Sequence, residues 1–216
     1  MQTRRALVKS TFFRVNFDHW RSTWLLRARE FVFWRKHKQA WRSGYGSYGA
    51  SVVEYGFEAW IRMLELLGFG LAFSAIETLV AGHRYRHLSS QESAFAKTYF
   101  TDAELAHVRL DEGAKYIAGP LKIAFVAGFV VKTKGRFHRR LLIHELVHVR
   151  QFRRWGWAYV AKALMAQWTG AGYDVPSAYS ISNERSASAK TYVTSFHPAL
   201  NAEQEARRLE EWVMRR

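Results

Sequence analysis

The chain has 216 residues, and its 49% hydrophobic content suits one ordinary domain with a buried core and excludes a disordered or collagen-like chain. It contains no cysteine, so disulfides and cysteine-ligated zinc are excluded, and any metal site must use histidine and carboxylate ligands. The formal net charge of +15 favours polyanionic partners, which are nucleic acid, anionic lipid or an acidic protein.

Most of the excess charge lies at the start of the chain, where residues 1–50 contain 11 Lys/Arg and 2 Asp/Glu. The spacing of Trp20, Trp24, Phe31 and Trp34 predicts one basic amphipathic helix over residues 18–42. Residues 1–42 therefore form an arm that binds an anionic membrane surface or another polyanion, or a helix that packs its tryptophans inward and leaves its arginines solvated. We favour the packed helix, because free tryptophans would expose a large apolar patch.

The chain shows no cleavable signal peptide, because charged residues interrupt the apolar segment that such a signal needs. The stretch Leu66–Ile76 has no charge but is shorter than the roughly 20 residues of a spanning helix, and Glu65 and Glu77 flank it. We therefore expect a buried helix there and no transmembrane helix. The expected location is the cytoplasm, or outside the cell by export without a cleaved signal.

The remaining elements follow in chain order. Glycines in Arg42–Gly49 predict a linker, and residues 51–81 are predicted to be helical with a break at Gly68 and Gly70. Ser89 and Thr101 are typical helix N-caps. A small antiparallel sheet is predicted from Lys115–Ile117, Lys122–Val126 and Phe129–Thr133. Further helices are predicted at His138–Trp155, Ala158–Trp168, Asn183–Thr194 and Ala202–Met214, with a loop at Thr169–Tyr179.

The most informative segment is Leu141–Gln151, with the sequence LLIHELVHVRQ. His144 and His148 are four residues apart, so on a helix both imidazoles project from one face and can bind the same zinc ion. Glu145 lies on the flank of that face, where it suits a general base better than a ligand. This H-E-x-x-H pattern is a known metalloprotease signature. The alternative is a pair of hydrogen-bonded core histidines.

A third metal ligand must come from elsewhere in the chain. The metzincin extension of the motif is excluded, because Gln151 and Arg154 stand where that class has glycine and histidine. A glutamate on a later helix is the other common solution, and Glu184 is the predicted ligand. Its alternative role is that of a solvated acid near a helix start. The rival ligands are Asp174 and His197.

Two resemblances extend this prediction. Asn183, Glu184 and the small polar Ser188 resemble the gluzincin pattern, in which a residue four positions after the third ligand braces a ligand histidine. Residues 100–195 more closely resemble the zinc metallopeptidase domains found near bacterial contractile-injection and type VI secretion genes. Their recurring core is a histidine pair, a Val-Trp-Gln run and a later Asn-x-Glu-Gln-Gln-Ala segment. This chain has Arg150 for the tryptophan, and Asn183 directly precedes Glu184. The matching residues are Leu141–Gln151, Trp157–Tyr159, Ala166–Gln167, Tyr173–Asp174, Tyr179, Asn183–Glu184 and Ala187.

The resemblance implies an α+β, zincin-like metallopeptidase domain with a small antiparallel sheet and an active-site helix. We expect that domain at residues 95–216, behind a basic arm and linker (1–50) and a helical region (51–94). Zn²⁺ held by His144, His148 and Glu184 would activate water, and Glu145 would take its proton to hydrolyse a protein or peptide substrate. The strand at Phe129–Thr133 would pair with extended substrate. Candidates for stabilising the oxyanion are Tyr173, Tyr179, Tyr192 and His197.

Under this prediction the protein is a zinc metallopeptidase, and the resemblance implies a bacterial effector delivered by such a secretion system. Two alternatives from other classes remain open. One is a non-catalytic zinc-binding module that keeps the motif, and the other is a nucleic-acid or membrane-surface binder that acts through residues 1–42.

Overall fold

The computed structural model describes residues 2–33, 48–81, 84–114, 124–168, 200 and 202–214. These residues form a mixed α+β fold that is mostly helical, as the sequence predicts at this coarse level. The helices are α1 (Gln2–Phe33), α2 (Tyr48–Leu66), α3 (Phe69–Ala81), α4 (Ser90–Ala96), α5 (Asp102–Leu105), α6 (Arg139–Trp155), α7 (Ala158–Trp168) and α8 (Ala202–Met214). The strands are β1 (Arg109–Asp111), β2 (Phe125–Ala127) and β3 (Val130–Lys132).

The three strands form a mixed sheet of order β1-β3-β2, so the prediction of an antiparallel sheet is wrong in part. β2 and β3 are antiparallel, because a tight turn with Gly128 at φ +66° reverses the chain between them. β1 instead pairs parallel to β3, with Leu110 opposite Val131. The predicted strand Lys115–Ile117 lies outside the described residues.

Local sequence signals explain where several helices begin. Ser89 and Thr101 are the N-caps of α4 and α5, and each forms a reciprocal capping box with a glutamate three residues later, which confirms the prediction. The His138 side chain caps α6 by accepting a hydrogen bond from the Leu141 N–H (3.2 Å). Helix α6 ends at Gly156, whose φ of +60° and ψ of −145° suit glycine.

The core lies where α6 packs between the sheet and α8. The inward side chains of α6, including Ile143 and Val147, are fully buried against the strands. Phe129, next to β3, meets Phe152 of α6 edge to face, with ring centroids 5.3 Å apart. Full burial of each such side chain contributes about 1.5–3 kcal/mol, so this packing fixes the position of α6.

The basic N-terminal helix packs against α2 and α3 along one face. Its described length starts at Gln2 rather than residue 18 and ends at Phe33, and residues 34–47 lie outside the described part. Trp20 Nε1 donates to the Glu65 carbonyl (3.0 Å), and Trp24 Nε1 donates to the Leu66 carbonyl (3.2 Å). Arg27 forms a buried ion pair with the Glu65 carboxylate.

The predicted break between two helices is confirmed at Leu67–Gly68, where Gly68 has φ +81°. The prediction that Leu66–Ile76 is buried is wrong, because Leu67, Phe69 and Ile76 are 66%, 58% and 62% exposed. Helix α3 packs on the protein along one side only. Among the described residues, no single helix is long and apolar enough to span a membrane. The pair Ala59–Leu66 and Phe69–Val80 is together long and apolar enough for a span, but the two segments are bent by 71° relative to each other.

Several predicted elements fall outside the described residues. They include the loop Thr169–Tyr179, the helix Asn183–Thr194 and most of the linker Arg42–Gly49, whose last two residues begin α2. The helices Ala158–Trp168 and Ala202–Met214 have the bounds that the sequence predicts.

Candidate metal centre

Helix α6 presents both motif histidines to the interior. His144 and His148 lie one turn apart and are buried, with their Nε2 atoms 3.3 Å from each other. Apolar neighbours on α6, including Ile143 and Val147, are packed into the core, and the imidazoles meet side chains of α8. Burying two such polar rings is costly unless they have partners.

Helix α8 supplies the carboxylate that meets them. Glu203 lies in the first turn of α8, where an acidic side chain is favoured by the helix dipole. Its Oε2 atom is 3.3 Å from His144 Nε2 and 3.5 Å from His148 Nε2. These three buried residues are a group whose ligand atoms all lie within 4.8 Å of one another.

The triangle of donor atoms has the size of a zinc site. Two ligand atoms of a tetrahedral zinc ion, each at about 2.0–2.1 Å, lie about 3.3–3.4 Å apart. The three observed separations are 3.3, 3.3 and 3.5 Å. An ordinary N–H···O hydrogen bond is shorter, at about 2.9–3.0 Å. The donors present, two imidazoles and a carboxylate, therefore fit this ion in both number and spacing.

The far side of each imidazole is held by a second partner. His144 Nδ1 donates to Glu210 Oε2 (3.0 Å), and His148 Nδ1 donates to Gln151 Oε1 (2.8 Å). Because both acceptors are oxygens, Nδ1 of each ring carries a proton, and Nε2 of each ring faces Glu203. Outer partners of this kind orient histidines that bind metals. Gln151 is itself fixed to α8 through the Ala202 carbonyl (3.0 Å).

Glu145 lies beside this triangle and is 4% exposed. Its Oε2 atom is buried and has no hydrogen-bond partner among the described residues. Burial raises the pKa of the Glu145 carboxyl, although the two imidazoles act in the opposite direction. An unsatisfied buried carboxylate oxygen needs an explanation, and a water molecule that donates a hydrogen bond or a proton to this atom would provide one.

The charges of the cluster favour a cation. Burial lowers the pKa of His144, but hydrogen bonds to Glu203 and Glu210 outweigh it and raise that pKa to about 9. Burial likewise lowers the pKa of His148, and the Glu203 carboxylate reverses the shift. Burial raises the pKa of Glu203, whereas the adjacent imidazoles bring it well below its usual range. Three carboxylates thus surround two imidazoles, and a divalent cation would replace protons there.

The remaining predicted site residues lie outside the described part of the chain, so their positions stay predictions. They are Glu184, Asp174, Ser188, Tyr173, Tyr179, Tyr192 and His197. Another tyrosine, Tyr159 of α7, lies against the site, with its ring centroid 5.9 Å from that of His148. Its hydroxyl donates to the Val126 carbonyl, so it ties the site to the sheet.

Sequence reasoning missed Glu203, Glu210 and the role of Gln151. Two signals could have found the glutamates. Residues 201–206 read Asn-Ala-Glu-Gln-Glu-Ala, which follows the Asn-x-Glu-Gln-Gln-Ala pattern more closely than residues 183–187 do. Glu203 and Glu210 are also seven residues apart, so a helix places both on the face that meets α6.

No protein-family model, curated protein or solved structure matches this chain.

Proposed function

We propose that the chain is a zinc-dependent peptidase with a zincin-like fold, whose metal is held by His144, His148 and Glu203. The observation that carries this proposal is the triangle of Nε2, Nε2 and Oε2 atoms, with the unsatisfied Glu145 carboxylate beside it. In this assignment Glu203 takes the role that the sequence predicts for Glu184. Export as a bacterial effector rests on the resemblance alone.

The donor set favours zinc over the other common metals. Imidazole ligands disfavour Mg²⁺ and Ca²⁺, which prefer all-oxygen sites, and the chain has no thiolate to select copper(I) or an iron–sulfur cluster. Three protein ligands in a tetrahedral arrangement leave a fourth position open, as in catalytic zinc sites. Bound Zn²⁺ would supply a Lewis acid that polarises a peptide carbonyl and promotes ionisation of water.

The chain's own residues would move the proton. Glu145 accepts a proton from the attacking water on its free Oε2 atom and passes it to the nitrogen of the leaving amine. A carboxyl with a raised pKa suits both steps, because it can hold the proton between them. Glu210 and Gln151 accept hydrogen bonds from Nδ1 of the two imidazoles, so Nε2 is the nitrogen of each ring that would bind the metal.

The test is the variant Glu145→Gln. We expect it to bind one zinc per chain and to unfold at the wild-type temperature, while hydrolysis of an unfolded protein substrate falls by about 10²–10⁴-fold. Glu211→Gln is the matched control, because Glu211 pairs with Arg207 on the same helix as Glu203. A zinc-loaded wild-type protein no more active than Glu145→Gln would favour the non-catalytic zinc-binding module.

A further inference from the structure

We propose that the outward surface of α1, α2 and α3 is an interfacial membrane-binding surface whose partner is an anionic phospholipid bilayer. This inference uses no property of the metal centre and goes beyond the proposed peptidase activity.

The surface contains a continuous uncharged strip, which we call the apolar face. Helix α3 contributes positions spaced by four, three and four residues, so a helix aligns them on one side. The bend at Gly68 adds Leu67, and α2 adds Trp60, which is 51% exposed. Soluble proteins rarely expose an apolar patch of this kind unless it binds something. The apolar face consists of Trp60, Leu67, Phe69, Phe73, Ile76 and Val80.

The acids that bracket this segment in sequence do not reach the apolar face. Glu65 is 3% exposed and pairs with Arg27 of α1. Glu77 pairs with the buried Lys132 of β3, with Nζ and Oε1 2.6 Å apart. Both carboxylates are therefore neutralised on the protein side, and the outward side of α3 enters lipid without carrying a charge.

The outward face of α1 adds basic charge beside exposed apolar side chains. Leu25 is 75% exposed, and Arg21 and Arg29 lie four residues before and after it on the same side of the helix. Val32, at 71% exposed, continues that side. Arginines flanking apolar side chains are typical of interfacial helices, because their stems pack on acyl chains while their charges reach phosphate groups.

The dimensions indicate a protein that lies on the bilayer and does not cross it. Helix α3 has 13 residues, or about 20 Å, against a hydrocarbon core of about 30 Å. The 71° bend between α2 and α3 prevents the pair from forming one straight span. Leu67 and Phe69, which stand at this bend, are both exposed.

The charge pattern also favours a bilayer over a second copy of the chain. A twofold dimer joins the same surface on both copies, so it would bring the basic α1 helices of the two chains close together. An anionic bilayer neutralises those arginines instead, with about 1 kcal/mol per basic residue near the surface.

The experiment measures binding of the full-length protein to equimolar phosphatidylserine–phosphatidylcholine vesicles and to pure phosphatidylcholine vesicles by flotation. We expect binding to the anionic vesicles that weakens with added salt. The double variant Phe69→Gln/Ile76→Gln should bind at least about tenfold more weakly, because two large apolar side chains no longer enter lipid. Both positions are exposed, so the fold should survive. Met214→Gln, at a 44% exposed position on α8, is the control and should bind like the wild type.

Two results would overturn the proposal. One is vesicle binding that Phe69→Gln/Ile76→Gln leaves unchanged while Arg21→Gln/Arg29→Gln abolishes it, which would indicate a polyanion site without lipid insertion. The other is a wild type that binds no vesicles but forms a dimer in light scattering, which the Phe69→Gln/Ile76→Gln variant converts to a monomer. That result would assign the apolar face to a second copy of the chain.

Discussion

The metal centre and the three N-terminal helices depart in opposite directions from the usual distribution of polar and apolar side chains. Between α6 and α8, two histidines and several glutamates are buried, and Glu145 has an oxygen without a described partner. On α2 and α3, tryptophan, phenylalanine and isoleucine side chains are exposed. Buried polar groups and exposed apolar patches are the informative exceptions in a folded protein. We therefore propose a ligand for each region, a cation for the metal centre and a lipid surface for the N-terminal helices.

The two regions meet at a tightly packed junction. Gly70 of α3 approaches the Trp157 ring so closely that a Cβ atom would collide with it. Phe73 meets the same ring edge to face, with centroids 5.2 Å apart. Glu65 of α2 packs against Gly156, where α6 ends. Helices α2 and α3, which carry the apolar face, therefore pack against the connection between α6, the helix of the metal-binding motif, and α7.

The largest expected effect is the loss of zinc when the ligand Glu203 is replaced. Glu203→Gln should lose stoichiometric zinc, because one of three protein ligands is gone, and the loss should exceed the roughly 10–100-fold cost of an outer partner. Glu211→Gln on the same helix should keep full zinc content. The measurement is metal content after dialysis together with competition against a chelator.

The same measurement on Glu184→Gln decides between the two candidate ligands. We expect Glu184→Gln to keep its zinc. If it loses zinc while Glu203→Gln keeps it, the assignment of the third ligand to α8 is wrong.

A smaller effect, on stability and on zinc binding, is expected from a substitution at the junction between the two regions. Gly156→Ala places a side chain in a backbone conformation that suits glycine, at a cost of about 1–3 kcal/mol, and drives it into Glu65. We expect a lower melting temperature and weaker zinc binding in the same variant. Gly56→Ala is the control, because nothing lies within 4 Å of its added Cβ, and it should gain about 0.5–1 kcal/mol. A Gly156→Ala protein that melts at a lower temperature but binds zinc like the wild type would mean that the junction does not couple the regions.

The smallest predicted effect is a pH dependence at the inner face of α1. Burial, Arg27 and Arg153 lower the pKa of His19 to about 4, and Arg27 Nη2 donates to its Nε2 (3.1 Å). The unfolded chain has a pKa near 6.5 there, so it takes up the proton first as pH falls. The stability that comes from keeping His19 neutral in the folded state is therefore complete above pH 6.5 and is lost as pH falls toward 4.

Between pH 6.5 and 5.5 the loss should be about 1 kcal/mol in the wild type. His19→Gln does not titrate and should lack that component, which chemical denaturation at several pH values would measure. Identical profiles for the two proteins would mean that the pKa of His19 is the same in the folded and unfolded states, which would contradict the prediction.

Much of the local structure could be predicted from the sequence, because caps, glycines and periodicity act over a few residues. Ser89 and Thr101 are N-caps, and the chain breaks at Leu67–Gly68. The direction of β1 could not be predicted, because its pairing with β3 joins residues about 20 positions apart in sequence and no local signal specifies it. The exposure of α3 could not be predicted from the sequence, because an apolar helix is ordinarily buried in the protein core.

The candidate site divides in the same way. The spacing of His144 and His148 is a local signal, and a helix is sufficient to bring them together. Glu203 and Glu210 reach them only through the packing of α8 on α6, which depends on the whole core. Gln151 excluded one class of metalloprotease by its identity, yet its contact with His148 depends on the rotamer and on α8.

The most direct test of the metal centre is an anomalous-difference map at the zinc absorption edge from crystals of the zinc-loaded protein. We predict one peak per chain, about 2.0–2.1 Å from Nε2 of His144, Nε2 of His148 and a carboxylate oxygen of Glu203, with Glu145 near the peak but not bound to it. A peak ligated by Glu184, Asp174 or His197 in place of Glu203, or no peak between α6 and α8, would contradict the proposed centre.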